Sequence, residues 1–320
     1  MEVKMGYKKY AYPKAVIMKV FSSFLRKIRS EHDLSQEGLR ALLNDKSHSF
    51  DSLDTISISR WERGINTPSL TKQAEIAEIF GDSLFNIYRS DTDFVAECMH
   101  SIQFSVGDKN DKTTHPYYQD EQYHTECIDT EHVNFERFLK LCLMYEGNPR
   151  LLPTHQQTSS AEVLKQLTLI SAFCNASQLV GHCLFCKVNS KALFEFMNNT
   201  IGILDLLNVV KQDRVNVLVV FSSFGVSAQI DNHMMSIYLN QLAMDDTIEY
   251  LSFSTCDSKL KQKLMQMKIP MFKVKPIEHQ AKMIQNYSFI MSRSEVMANR
   301  NMLMLSVITT QCMQPKTIEI

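Results

Sequence analysis

Leu34–Pro68 reads LSQEGLRALL, then the polar insert NDKSHSFDS, then LDTISISRWERGINTP. Ser35 and Asp54 each precede a short apolar-periodic segment. Side-chain oxygens at such positions accept hydrogen bonds from the unpaired N–H groups of a first helical turn. The spacing predicts one helix over Gln36–Leu43, with Leu39, Leu42 and Leu43 on one face. It predicts a second after Asp54, with Ile58 and Trp61 turned inward and Gly64 in the left-handed position beyond its end. Phe24, Leu25 and Ile28 predict a helix before this pair. Leu70, Ala74, Ile76, Ala77 and Ile79 predict one after it, ending near Gly81. The expected unit is a small helical domain built on a helix-turn-helix.

The stretch from about Phe24 to Tyr88 resembles the Cro/phage-repressor (XRE-like) helix-turn-helix. Both the R-x-x-x-x-L-S-Q-E-x-L start and the I-S-R-W-E-R-G-x-x-x-P end are present. The turn between the two helices departs from that family, where about three or four residues suffice. Here Asn44–Ser52 makes a longer connection. The resemblance implies double-stranded DNA as partner. Thr55, Ile56 and Arg60 resemble base readers, Ser57 and Ser59 share their outward face, and Asp54 begins it. Gln36 resembles a phosphate anchor, and Arg63 sits where the backbone meets phosphate again. Arg60 suits a guanine, and Thr55 or Ile56 a thymine methyl.

A chain of 320 residues accommodates two domains. With a formal net charge of −1, it is not a nonspecific polycation. Residues 1–90 nevertheless carry a net +3 and the remainder a net −4, which suits a DNA-contacting amino-terminal part. The eight cysteines are scattered, with neither a dense disulfide framework nor a secretory signal. No apolar run reaches the length of a membrane span. Reduced thiols, a cytoplasmic location and no membrane partner are expected.

Residues 1–20 place five lysines among three tyrosines, a basic arm or a loose terminus. The helix-turn-helix domain is expected over 21–90. Residues 91–132 are polar and turn-rich and read as a linker. His115, His124, Cys127 and His132 fall in or beside it at a spacing that matches no zinc pattern, so no metal is expected. An α/β domain is expected over 133–292, followed by a Met-rich tail, 293–320, with Met297, Met302 and Met304. That tail could pack on the domain or offer a surface to a dimer mate. Within 133–292, Phe135–Leu143 and Ser159–Phe173 read as helices, Gln178–Val188 as a strand, and Val215–Phe224 as a buried strand. A helix over Asp231–Ala243 comes next. Then come a strand at Ile248–Thr255, a helix, and two closing strands. Cys183 and Cys186 form a CxxC on the first of these strands. Strand alternation turns them to opposite faces, as buried thiols.

That order resembles the core of a GCN5-related acyltransferase over roughly residues 160–292. The fold class expected is therefore α plus α/β: an all-helical domain, then a mixed-sheet domain of acyltransferase type. The resemblance implies a splayed strand and a Gly-rich loop whose N–H groups cradle the pyrophosphate of acyl-CoA. The loop aligns at Val226–Asp231 but reads VSAQID, with Gly225 just before it. Asp231 would face the phosphates, and the family's frequent Tyr acid aligns near Met267. From these departures no catalysis and no cofactor, acyl-CoA included, are expected. Gly225, Val226, Ser227, Ala228 and Gln229 remain as a candidate pocket for a small effector. The expected function is a sequence-specific transcription regulator, dimeric on DNA, with a carboxy-terminal sensing or interaction domain. The alternatives are an active acyl-CoA-dependent acyltransferase carrying a DNA-binding module, and a protein-interaction antirepressor.

Overall fold

The computed structural model describes residues 14–96, 98, 122–148, 151, 161–174, 177–198, 201–208, 215–279 and 282–308. The chain divides into two compact units, Met1–Ser105 and Val106–Ile320.

The first unit is helical: α1 (Lys14–Glu31), α2 (Gln36–Lys46), α3 (Thr55–Glu62), α4 (Leu70–Ile79) and α5 (Leu84–Arg89). The starts follow the expected caps. Ser35 Oγ accepts from the Gly38 N–H at 3.0 Å, and an Asp54 carboxylate oxygen accepts from the Ser57 N–H at 2.7 Å. Gly64 has φ 64° just past α3. Phe21, Leu25, Leu39, Leu43, Ile58, Ile76 and Phe85 form the buried interior. The long connection is anchored rather than loose. It forms a single 3-10 turn, His48–Phe50, and the Phe50 ring is fully buried. Burying a phenylalanine is worth about 2 kcal/mol, enough to fix the insert against α2. The basic arm expected over 1–20 is helical from Lys14 onward; residues 1–13 lie outside the described residues.

The second unit is a seven-stranded mixed sheet in the order β1-β2-β3-β4-β5-β7-β6. The strands are β1 (Tyr123–Cys127), β2 (Leu167–Cys174), β3 (Leu179–Asn189), β4 (Asn216–Gly225), β5 (Ile248–Thr255), β6 (Met271–His279) and β7 (Lys282–Ser292). Its helices are α6 (Phe135–Glu146), α7 (Ala161–Leu164), α8 (Ser190–Met197), α9 (Ile203–Asn208), α10 (Ala228–Met244), α11 (Ser258–Gln266), α12 (Arg293–Ala298) and α13 (Arg300–Ile308). Only β4 and β5 pair in parallel among the described strands. The α plus α/β class and the acyltransferase-type order of elements are as expected. The packed layer containing Leu139, Cys142 and Leu143 of α6, with α8 and α9, covers Leu184, Cys186, Val219 and Phe221. Helix α10 lies against β3 and β4.

Two expectations need correction. Ser159–Phe173 is not one helix: after the short α7, Leu167–Cys174 is strand β2. Its burial alternates only over Leu167–Ile170 and is continuous from Ser171 to Cys174, and so short an apolar stretch cannot be separated from a helix by periodicity. The stretch expected as linker contains β1, an edge strand whose polar His124 and Glu126 point outward. In the tail, Met297, Met302 and Met304 are interior side chains of α12 and α13; residues 309–320 lie outside the described residues. Cys183 and Cys186 are buried on β3. Among the described residues no His/Cys/Asp/Glu group could hold a metal, and no helix is long and apolar enough to cross a membrane. His115 lies outside the described residues.

Candidate functional site

In the first unit, α3 turns Ile58 and Trp61 inward and leaves Ile56, 60% exposed, on the open side with Arg60 and Arg63. Ser57 and Ser59 are half-buried. Arg63 Nε donates to the Ser59 carbonyl at 3.2 Å. Thr55 Oγ1 donates to Glu37 Oε2, and Arg40 engages the same carboxylate; both contacts hold the Glu37 carboxyl below its ordinary range. Gln36 is committed inside the unit. Its Nε2 donates to Glu62 Oε2 at 2.7 Å while Arg29 Nε donates to Glu62 Oε1 at 2.6 Å. Glu62 is buried, so the two donors offset the cost of taking its charge out of water. The outward set expected on α3 is thus partly free (Ile56, Arg60) and partly engaged (Thr55), and Gln36 ties α2 to α3.

In the second unit the site arises from a parting of strands. β4 and β5 pair from Asn216↔Ile248 to Val220↔Phe253. Beyond Val220, β4 runs on to Gly225 bonded to β3, and β5 runs on to Thr255 bonded to β7. Val220 pairs with Phe185 and Ser222 with Leu184, so Phe221 is one residue too many for β3. A bulge of this kind bends its strand and re-aims the residues beyond it. The strand ends therefore form a wedge whose facing edges carry backbone N–H and C=O groups free of ladder partners in the described sheet.

A cleft of about 520 Å³ opens at the wedge. It is lined by Tyr145, Ser223–Gly225, the start of α10 (Ser227, Ala228, Asp231, Asn232) and the α11 side (Asp257, Lys259, Leu260, Gln262, Lys263, Gln266). Both helices begin here. Ser227 Oγ accepts from the Ile230 N–H at 3.3 Å, and the Asp257 carboxylate accepts from the N–H groups of Lys259 and Leu260 at 3.1 and 3.0 Å. Two helix N-termini on one cleft supply partial positive charge and unpaired first-turn donors. Of the five residues expected as a pocket, Gly225, Ser227 and Ala228 line the cleft. Val226 is tied by its N–H to the Val180 carbonyl at 2.9 Å, and Gln229 is an exposed residue outside the lining.

The end of α6 reaches the same place. Gly147, at φ 66°, stops the helix there. The Tyr145 ring packs tilted against Phe224 at 4.5 Å and meets His182 edge-on at 5.4 Å. Ser222 Oγ and His182 Nε2 are 2.8 Å apart. Burial pulls the His182 pKa down to about 4, so the ring is neutral near pH 7. Next to Tyr145, Glu146 is 2% exposed, and its Oε1 accepts from the Cys256 N–H at 2.7 Å. Burial pushes its carboxyl up to about 8, with the Thr255 hydroxyl and Cys256 N–H pulling the other way. Burial, and next the Glu146 charge, push the Cys256 thiol up to about 12, so it is not a thiolate nucleophile.

Tyr145, Glu146, Asp257, Lys259 and Lys263 went unnoticed in the sequence. Asp257 had a signal, an N-cap directly after a strand. The others join the site through pairing between distant stretches.

No family model matches the chain, and no curated protein matches it. Solved structures do. Arabidopsis thaliana NAA60 in complex with acetyl-CoA aligns at 8% identity over 53% of this chain and 98% of that one, with a TM-score of 0.37. A Drosophila melanogaster polyamine N-acetyltransferase aligns at 12% identity over 53% and 100%, TM-score 0.35. FeeM, an N-acyl amino acid synthase from uncultured soil microbes, aligns at 11% identity over 54% and 92%, TM-score 0.36.

The expectations of no catalysis and of no acyl-CoA are corrected here. The solved structures just named include a polyamine N-acetyltransferase, an N-acyl amino acid synthase and a complex with acetyl-CoA. Both local objections also fail. The Asp231 charge does not stand bare before a phosphate, because Lys263 Nζ donates to its Oδ2. Met267 is not where an acid would be needed: it is buried at the end of α11, with its carbonyl accepting from Asn299 Nδ2 at 2.7 Å. The hydroxyl-bearing ring that lines the cleft, Tyr145, comes instead from the end of α6.

Proposed function

We propose that the second unit is an acyl-CoA-dependent acyltransferase and that the first is a DNA-binding helix-turn-helix. The parting of β4 from β5 beyond Val220 and Phe253 carries the first half of this reading. An extended arm with two amide groups, such as pantetheine, can satisfy the free β4 edge as a missing strand would. The first turns of α10 and α11 then face the pyrophosphate, with Lys259 beside them. Gly225 lets the chain pass close to α10 on the way. Ser222–Phe224 hold the thioester end near Tyr145, and the apolar ring faces there exclude water from it. Isothermal titration of the full chain with coenzyme A tests this half. Binding at micromolar to low-millimolar concentration, weakened at least tenfold by Ala228→Glu, supports it. Absence of binding about five-fold above that range rejects it.

The second half rests on the open face of α3, where Ile56 and Arg60 project while Trp61 is core. A helix presented in this way fits the major groove of double-stranded DNA. Pairing as a homodimer across two half-sites would supply the affinity one small domain lacks. The free thiols of the described cysteines accord with a cytoplasmic protein. Selection from a random DNA pool tests it; recovery of no enriched sequence would reject it.

A further inference from the structure

Lys273 and Lys275 stand two apart on β6, so their side chains share one face of the sheet. Val274 between them pairs with Tyr287, and Lys261 of α11 lies over that ring. Val274 thus faces the α11 side, and the two lysines face the other, where both reach the end of α8. Lys273 Nζ donates to Asn198 Oδ1, and Lys275 Nζ donates to the Asn198 carbonyl at 2.9 Å. Both lysines are half-buried. Neither has a carboxylate within ion-pair distance among the described residues. The partly negative end of a helix is served by one ammonium. An ammonium has three donors, and each lysine gives Asn198 only one. Two like charges converge on one neutral residue, an arrangement that an anion completes.

Strand pairing places these charges level with the wedge. Lys273 pairs with Ser288 and Lys275 with Asn286 on β7, and Ser288 pairs with Ser254 on β5, one side of the wedge. Ser254, Asn286 and Ser288 are buried, and Asn286 Nδ2 donates to Ser254 Oγ at 3.2 Å. The floor between wedge and lysines is therefore polar and uncharged. Strands lie about 4.8 Å apart, so β6 is about 10 Å from β5, a span for a short chain rather than for a bare amine. We propose that Lys273 and Lys275 bind the anionic end of the acyl acceptor, an amine that carries a carboxylate several carbons from its nitrogen. The inference rests on the acyltransferase reading given above. The amine nitrogen bonds to the thioester carbonyl carbon, the carbon–sulfur bond breaks with its electron pair leaving on sulfur, and the proton lost by the amine ends on that sulfur. The products are an amide that keeps its carboxylate and free coenzyme A. A polyamine in the same place would set its far ammonium against two others.

The test uses three acceptors of similar length that differ at the far end: 5-aminovalerate, pentylamine and cadaverine. Thiol release from acetyl-CoA by the full chain gives kcat/KM for each, and coenzyme A binding is titrated on the same preparation. The wild type should favour 5-aminovalerate over pentylamine about tenfold, and over cadaverine by more. The joint variant Lys273→Met, Lys275→Met should lose that preference, and the joint change to Arg should keep it. Lys275→Gln is the milder variant if the joint one does not fold, and should cut the preference about threefold. Lys275→Glu should turn the preference toward cadaverine, a gain that lysines serving only to cap α8 would not give. Equal kcat/KM for the three acceptors in the wild type overturns the inference alone. So does a preference that survives the loss of both lysines, or a variant in which all three acceptors fall alike. A wild type that binds coenzyme A and releases no thiol to any of the three overturns it too. A wild type that binds no coenzyme A overturns the donor-site reading and this inference with it.

Discussion

Gly225 and Asp231 approach so closely that a Cβ on the first would stand 2.2 Å from the backbone nitrogen of the second. The obstacle is helix backbone, not the end of a flexible side chain, so α10 would have to move. Gly225→Ala should therefore destabilise the second unit by about 1–3 kcal/mol, the usual range for overpacking. The same displacement shifts the first turn of α10 at the cleft, so coenzyme A affinity should fall with it. Urea denaturation and titration on the same preparation check both. Wild-type stability in the variant would show that the approach is looser than described.

Glu146 also makes stability depend on pH. Its carboxyl is raised from 4.5 to about 8 in the folded chain. A raised folded pKa means that the folded state holds the proton more tightly than the unfolded state. The stabilisation is complete below about pH 4.5 and is lost as pH rises through about 8, amounting to a few kcal/mol. Glu146→Gln removes that dependence. The difference in melting temperature between wild type and Glu146→Gln should shift in favour of the variant from pH 5 to pH 9. A constant difference across that range would contradict a buried, proton-holding Glu146.

Gln36 makes a different prediction from the one its place in the motif suggests. Its amide spans to Glu62, which also holds Arg29. Gln36→Ala should cost about 1–2 kcal/mol of stability in the first unit, as expected for a hydrogen bond to a charged group. Any loss of DNA affinity should be equal on all sequences. Thermal unfolding of the first unit within the full chain reads the former. An unchanged transition would mean that the amide contributes nothing to the α2–α3 pairing.

Arg60 projects from α3 into solvent, which leaves its guanidinium available to a base edge. Arg60→Ala should cost about 1–3 kcal/mol on the selected site and relax preference at one base position. Binding to single-base variants of that site checks this. An unaltered preference profile would remove Arg60 from the set of base readers.

The helical unit was legible because its signals are local. Ser35 and Asp54 cap where they stand, Gly64 ends α3, and Trp61 and Ile58 fall on the inward face. The long insert was visible, but nothing in it announced that Phe50 would be core. In the second unit, β4, β5, α10 and α11 came from runs and caps. β2 did not, because LTLISAFC alternates in burial only over its first half and is continuously buried over its second. Nor did β1, whose polar residues hide an edge strand. The site was the least legible part. Aligning a loop at Val226–Asp231 found Gly225, Ser227 and Ala228, but it read Asp231 as repulsive because Lys263, 32 positions away, was not seen as its partner. Tyr145 and Glu146 precede every element of the aligned core, and only the sheet brings them to the wedge.

Hydrogen–deuterium exchange of the full chain, with and without acetyl-CoA, is the most decisive measurement for the donor site. If the free edge of β4 and the first turns of α10 and α11 receive an acyl-CoA, their amides gain partners when it binds. The predicted result is slowed exchange confined to peptides covering Phe221–Gln229 and Thr255–Lys261, with the helices of the first unit unaffected. Exchange in those peptides that stays the same at saturating acetyl-CoA would contradict an acyl-CoA site at the wedge.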